Sequence, residues 1–172
     1  MKLNIRRIAF VGVLAAAYAA LTLATASLSY GPVQFRIAEA LSVLCCFSPA
    51  AIFGMVIGCM AANLASFVSP WDFLIGAFAT LLAALLTRLL GRRLEARPLL
   101  RWAVPLPTIL CNALIVGAEI AVFFDERAFL PAWGLNALSV GFGEAVVMYL
   151  LGLPLLRLLQ SNQKLSGQLK QL

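Results

Sequence analysis

Six apolar runs, joined by connections of no more than eleven residues, leave this chain few ways to fold. They cover residues 8–28, 37–47, 50–68, 73–90, 102–124 and 135–158, and turn signals separate them. The signals are Tyr30-Gly31-Pro32, Ser48-Pro49, Ser69-Pro70, Gly91 with Pro98, and Asp125-Glu126-Arg127 with Pro131. Apolar residues make up 63% of the chain and charged residues 12%, about half the charged share of a soluble domain. A water-facing surface cannot absorb that much apolar area, so most of it faces lipid. Inside a bilayer every backbone N–H and C=O must be satisfied within the protein. The runs lack the alternation of a membrane barrel, so the spanning element is the helix. The expectation is one all-α integral membrane domain over residues 1–172, with the bilayer as its surroundings.

The first run follows Lys2, Arg6 and Arg7 and ends near Ala24-Thr25-Ala26, which imitates a secretory signal with its cleavage site. Residues 8–26 nevertheless amount to 19, against about 7–15 for the apolar part of a signal. As a helix they rise ~28 Å, close to the thickness of a bilayer core. The reading is a retained first span.

The second run is short: eleven residues give only ~17 Å of α-helix. Charge placement decides whether it spans. With six spans and the N-terminus inside, eleven basic residues fall on the inner side: Lys2, Arg6, Arg7, Arg88, Arg92, Arg93, Arg97, Arg101, Arg157, Lys164 and Lys170. Two, Arg36 and Arg127, fall outside. If the second run does not cross, the later loops flip and the split becomes four inside and nine outside. Cytoplasmic loops are enriched in Lys and Arg, so six spans with both termini cytoplasmic are expected. The net charge of +6 thus reflects topology, and no nucleic-acid partner is implied.

Chemistry-bearing motifs are missing. No G-x-x-x-x-G-K-[ST], H-E-x-x-H or G-x-S-x-G occurs, and there is no His. Cys45, Cys46, Cys59 and Cys111 lie within apolar runs without C-x-x-C spacing, so they read as small hydrophobes, and no metal site or cofactor is expected. The chain suits binding or transport better than catalysis, with no catalytic residue assigned.

Single polar residues inside the runs carry the remaining information, because intramembrane acids and amides are costly. Glu119 and Glu144 have no basic residue in their own spans and are candidate ligand contacts. Asn112 shares a face with Glu119, and Asn136, Ser139 and Gly143 share one beside Glu144. Gly141 and Gly143 would let a backbone or ligand come close. Arg36 and Glu39, three residues apart, read as an ion pair, a binding pair or both. Ser69-Pro70-Trp71-Asp72 reads as a helix start with Asp72 in a capping role. Asn63 and Asn112 could serve as interhelical hydrogen-bonding groups. Trp71, Trp133 and Tyr30 fit interfacial anchoring, and Trp133 also fits a stacking lid. In the first run Gly12, Ala16 and Ala20 recur every fourth residue, as do Ala15 and Ala19, which gives flat faces for close helix contact.

The stretch from Ser29 through Tyr30-Gly31-Pro32, Gln34 and Arg36-Ile37-Ala38-Glu39 to Leu41 resembles the first loop and second helix of QueT-type proteins, as do Ser48–Gly54, Gly58–Leu64, Pro70-Trp71-Asp72 and Thr80–Ala84. The likeness covers roughly residues 6–90. These are substrate-binding S components of energy-coupling factor (ECF) transporters of bacterial cytoplasmic membranes, assigned to queuosine precursors. The resemblance implies a six-helix S-component fold that captures a small molecule from outside. Small residues of helix 1, best matched by Gly12 and Ala16, would dock to a T transmembrane subunit that carries two ATPase subunits. Queuosine precursors are 7-deazaguanines whose edge offers N–H donors to a carboxylate and a carbonyl to an amide or Arg. Glu119, Glu144, Asn112, Asn136, Arg36, Glu39, Trp133, Gln34 and Tyr30 are then the candidate substrate contacts. The alternatives are an S component for another purine-like base or vitamin, and a stand-alone small-solute facilitator.

Overall fold

A computed structural model describes residues 4–31, 33–64, 71–94, 96–123 and 128–172. It is all-helical among the described residues. Helix α1 is Ile5–Ala24, followed by a helical turn at Ala26–Ser29. Helix α2 is Ile37–Cys46 and has 3₁₀ geometry. Then come α3, Ala50–Asn63, and α4, Asp72–Gly91. Helix α5 comprises Leu106–Cys111, Asn112–Val116 and Gly117–Phe123 in unbroken succession, with its middle segment in π geometry. Helix α6 is Phe129–Ser161, with a π segment at Met148–Gly152. A short helix α7, Gln163–Gln171, follows. Among the described residues four helices are long and apolar enough to cross a membrane, and α2 and α3 are shorter apolar helices.

Helix α2 is the central column, buried against α1, α3, α4 and α6. A ten-residue 3₁₀ run is unusual, because its hydrogen bonds are poorer than those of an α-helix. Its rise of ~2.0 Å per residue stretches ten residues to ~20 Å, against ~15 Å in α form. That length matters. At one end Arg36 lies 3.7 Å from Asp72, where α4 begins. At the other, Arg88 Nη1 donates to the Cys46 carbonyl at 2.7 Å. A Cβ on Gly91 would stand 2.4 Å from Cys46 Cα. The short second run therefore travels alongside α4 from its start to its finish.

The remaining contacts define two ends. Arg7 Nη2 donates to the Gln171 carbonyl at 3.1 Å, so the start of α1 and the end of α7 lie together. Cys46, Gly91, Gln160 and Lys170 line one cavity at this terminal end. The opposite end, where Tyr30 donates to the Ala62 carbonyl at 2.8 Å and Arg36 meets Asp72, is the loop end.

The most extensive helix contact among the described residues is between α1 and α3. Leu14, Ala15 and Tyr18 press on Gly54 and Gly58, where added Cβ atoms would lie 2.9 Å from Leu14 Cβ and 2.7 Å from Tyr18 Cβ. Backbones approach this far only where side chains are absent. The spacing signal that packs α1 is thus the G-x-x-x-G of α3. Ala15 is buried in this contact and Ala19 packs against the same core, whereas Gly12, Ala16 and Ala20 remain exposed.

Some boundaries differ from the sequence reading. Helix α6 begins at Phe129 rather than near residue 135, because Pro131 sits in its first turn, where no helical N–H is required. Glu144 consequently lies ~22 Å from the start of its helix. The π segment at Met148–Gly152 precedes Pro154, whose ring cannot fit an undistorted ladder. The third run is helical to Asn63. Residues 65–70, with the Ser69-Pro70 capping signal, and the 125–127 turn signal lie outside the described residues. The four cysteines are free, and Cys45, Cys46 and Cys59 are buried as expected.

Candidate functional site

The loop end of the bundle holds a buried polar layer to which each of α1 to α6 contributes. Its first part is built around the entry to α2. Arg36 caps that helix in a non-helical conformation (φ −80°, ψ 87°), which turns its side chain toward α4. There it meets the Asp72 carboxylate at 3.7 Å, both groups fully buried. Asn63, the last residue of α3, donates Nδ2 to the Asp72 carbonyl at 3.1 Å and reaches its Oδ1 at 3.4 Å. The Tyr30 ring lies against the guanidinium, with 5.8 Å between its centroid and Arg36 Cζ. The second part is carboxylate-centred. Tyr18, buried mid-helix in α1, donates to Glu39 Oε1 at 2.5 Å. Thr80 of α4 and Asn112 of α5 lie beside Glu39. Asn112 Nδ2 donates to Glu144 Oε1 at 3.0 Å, and Glu144 lies within electrostatic range of Glu39 and Arg36.

The connection before α2 dips into this layer. Gln34 is buried, and its backbone runs against α6 at Gly143, where a Cβ would stand 2.3 Å from the Gln34 carbonyl oxygen. Only glycine permits that approach, so the close contact anticipated for Gly143 is made by the chain's own backbone.

The layer is electrostatically lopsided. Among the described residues the layer sets one buried guanidinium, Arg36, against three buried carboxyls, Glu39, Asp72 and Glu144, and a fourth buried acid, Glu119, lies farther along α5. Its unmet hydrogen-bonding capacity is lopsided in the same sense. Gln34 Oε1, Glu39 Oε2, Asn63 Oδ1, Asp72 Oδ2, Asn112 Oδ1 and Glu144 Oε2 are buried acceptors without a hydrogen bond, against the Nε and Nη2 donors of Arg36 and the hydroxyl of Thr80. A buried polar group left unsatisfied costs roughly 1–3 kcal/mol, so native proteins rarely bury several together without a use for them. The arrangement is complementary to a planar group rich in N–H donors, and to a cation.

The predicted residues separate into three groups. Arg36, Glu39, Asn112, Glu144 and Gln34 converge in the layer, and Tyr30 covers its Arg36 side. Glu119 is buried two turns beyond Asn112 along α5. Trp133 and Asn136 lie in the first half of α6: Trp133 Nε1 donates to the Leu114 carbonyl at 3.0 Å and its ring stacks on Phe129, while Asn136 Nδ2 has among its contacts a bond back to the Ala132 carbonyl at 2.9 Å. The ion pair of Arg36 forms with Asp72, because the capping conformation sends Arg36 toward α4, while Glu39 stays within electrostatic range of Arg36 and takes its hydrogen bond from Tyr18 of α1. Asp72 is thus part of the layer as well as of the first turn of α4. Sequence reading missed Tyr18 altogether. A lone tyrosine in an aliphatic helix was the available signal, since a buried phenol seeks an acceptor.

Comparison with known proteins adds a further line. The family profile described as QueT transporter matches residues 8–161. A 74-residue stretch is 38% identical to the "Queuosine precursor transporter QueT" of Lactococcus lactis subsp. cremoris (strain MG1363), covering 41% of this chain and 43% of that protein. The match thus spans under half the length of that relative. No solved structure matches.

Proposed function

The chain belongs to the QueT transporter family, whose profile matches residues 8–161, and from that premise we propose that it is a substrate-binding S component for a queuosine precursor. The observation that carries the reading is the acceptor-rich buried layer at the loop end. A 7-deazaguanine edge brings several N–H donors to carboxylates and amide carbonyls, and its carbonyl suits Arg36 or an amide N–H. An aminomethyl substituent would bring positive charge to a region where buried acids outnumber the buried guanidinium. Glu39, Glu144, Asn112, Gln34 and Arg36 are the proposed contacts, with Glu119 nearby and Tyr30 in the covering loop. The name of the Lactococcus relative supports the substrate class.

The proposed topology has six spans with both termini in the cytoplasm of a bacterial cell. The eleven-to-two division of basic residues supports it, as does the Arg7–Gln171 contact that brings the two termini to one end. The loop end then faces outward, where substrate arrives. Energy comes from a T subunit and two ATPase subunits, and the exposed Gly12, Ala16 and Ala20 stripe of α1 is the proposed docking face.

Titration calorimetry of the purified protein with 7-aminomethyl-7-deazaguanine tests the substrate. Saturable binding is expected. Binding of guanine, riboflavin or thiamine in its place overturns the cargo and leaves the transport class. Uptake into vesicles without the energy-coupling module would instead point to a stand-alone facilitator. For docking, Ala16→Trp should abolish uptake while calorimetric binding survives. Normal copurification with the module and normal uptake would show that the face is wrong.

A further inference from the structure

The α4–α5 connection at the terminal end carries a cluster that substrate binding does not use. A 3₁₀ turn, Pro98–Trp102, presents Trp102 at the bundle surface. The Tyr149 hydroxyl of α6 donates to the Trp102 carbonyl at 3.1 Å and fixes the turn. Two guanidinium groups gather on this one indole: Arg157 Cζ lies 4.8 Å and Arg101 Cζ 5.9 Å from a Trp102 ring centroid. Ring faces attract cations, and two positive groups drawn to one indole favour an anion beside them. Among the described residues neither arginine has a carboxylate within ion-pair distance. Glu95, the nearest acid along the chain, lies outside the described residues. Arg101 Nε is a buried donor without a hydrogen bond.

Beside the cluster runs an open groove of about 550 Å³, lined by Arg97, Pro98, Leu99, Leu100, Trp102 and Leu106. Leu99 is 81% exposed and Leu106 41%, so the groove offers an apolar wall at the rim of the helix bundle. A ligand that fits both parts has an anionic head and a long apolar tail. Trp side chains favour the membrane–water boundary, and arginine pockets between helices at that level suit phosphate-bearing lipid heads.

We propose that Arg101, Arg157 and Trp102, with the adjoining Pro98–Leu106 groove, form a binding site for an anionic phospholipid, whose phosphodiester lies on the two guanidinium groups and whose acyl chain lies along the groove. Guanidinium forks match phosphate oxygens, which makes arginine the better partner here than lysine. The site is separate from the substrate layer and stands whether or not the substrate reading does.

The test is native mass spectrometry of the full chain released from nanodiscs of equal phosphatidylglycerol and phosphatidylcholine. Retained phosphatidylglycerol should exceed phosphatidylcholine at least about fivefold, and the Arg101→Gln/Arg157→Gln double variant should bring the ratio close to one. The Arg92→Gln/Arg93→Gln variant should keep the enrichment, which separates this cluster from basic charge in general. Equal retention of the two lipids by the unaltered protein sinks the proposal without reference to any variant. So does inorganic phosphate at millimolar concentration displacing the lipid completely, because the site would then be for a free anion. Unchanged enrichment in the double variant, with lost copurification of the energy-coupling module, would assign the arginines to a protein interface instead.

Discussion

The two ends of the bundle treat charge in opposite ways. At the terminal end Arg92, Arg93, Arg97 and Arg157 are exposed, and Arg88 is spent on the Cys46 carbonyl at the finish of α2. At the loop end Arg36, Glu39, Asp72 and Glu144 have at most 1% of their surface exposed. An exposed arginine at a membrane boundary keeps its hydration and contributes little to stability. A buried ion pair gives up hydration that its mutual attraction only partly returns, so it is weak evidence for stability. The terminal end therefore carries charge at little energetic cost, and the loop end carries charge whose cost asks for another return. Ligand recognition is the return proposed.

The contrast can be broken most severely at Arg36. Arg36→Ala strands the Asp72 carboxylate in a buried site, and removing one partner of a buried pair commonly costs about 3–5 kcal/mol. Thermal unfolding in detergent should show a large fall in Tm, and calorimetry no measurable substrate binding. A mild effect on both would mean that the loop end tolerates charge as the terminal end does.

Close backbone contacts offer a second comparison. Gly143→Ala at the polar layer and Gly91→Ala at the terminal end each force a methyl onto neighbouring backbone, of Gln34 and Cys46 respectively. Overpacking of this kind costs about 1–3 kcal/mol. Both variants should lose thermal stability, but only Gly143→Ala should weaken substrate binding, since only it displaces Gln34. Equal loss of affinity in both would remove the functional distinction between the ends.

Glu→Gln exchanges are gentler, because they keep shape and remove charge. At least one of Glu119→Gln and Glu144→Gln should weaken binding by about tenfold or more in calorimetry, a loss of ~1.4 kcal/mol. Gel-filtration behaviour should not change. If neither alters affinity, the contacts belong to Arg36, Glu39 and Tyr18. The smallest effect is expected from Arg93→Gln, whose side chain is exposed: stability should stay within about 0.5 kcal/mol and affinity should not change.

Much of the fold was legible because its signals are one-dimensional. Run length, hydropathy and the placement of Lys and Arg gave an all-helical membrane domain before any contact was known. The acids and amides of the layer stood out singly for the same reason, since an apolar run makes each of them conspicuous. Tyr18 did not stand out, because a phenol in a membrane helix is unremarkable until its partner is known. The 3₁₀ form of α2 was not legible either, as nothing in Ile37–Cys46 distinguishes a stretched helix from a short one.

The amino-acid sequence by itself determined what must be buried in lipid, which polar residues would be costly there, and which end of each run carries basic charge. Tertiary structure decided the pairings. Arg36 meets Asp72, 36 residues away along the chain, in preference to Glu39 in the next turn, and Glu39 takes its hydrogen bond from Tyr18. It also decided that Ala15 is consumed against Gly58 while Gly12 and Ala16 stay bare. Spacing along one helix reports only which residues share a face. Which face meets which neighbour is set by where two backbones can come closest, and that depends on glycines in a different helix.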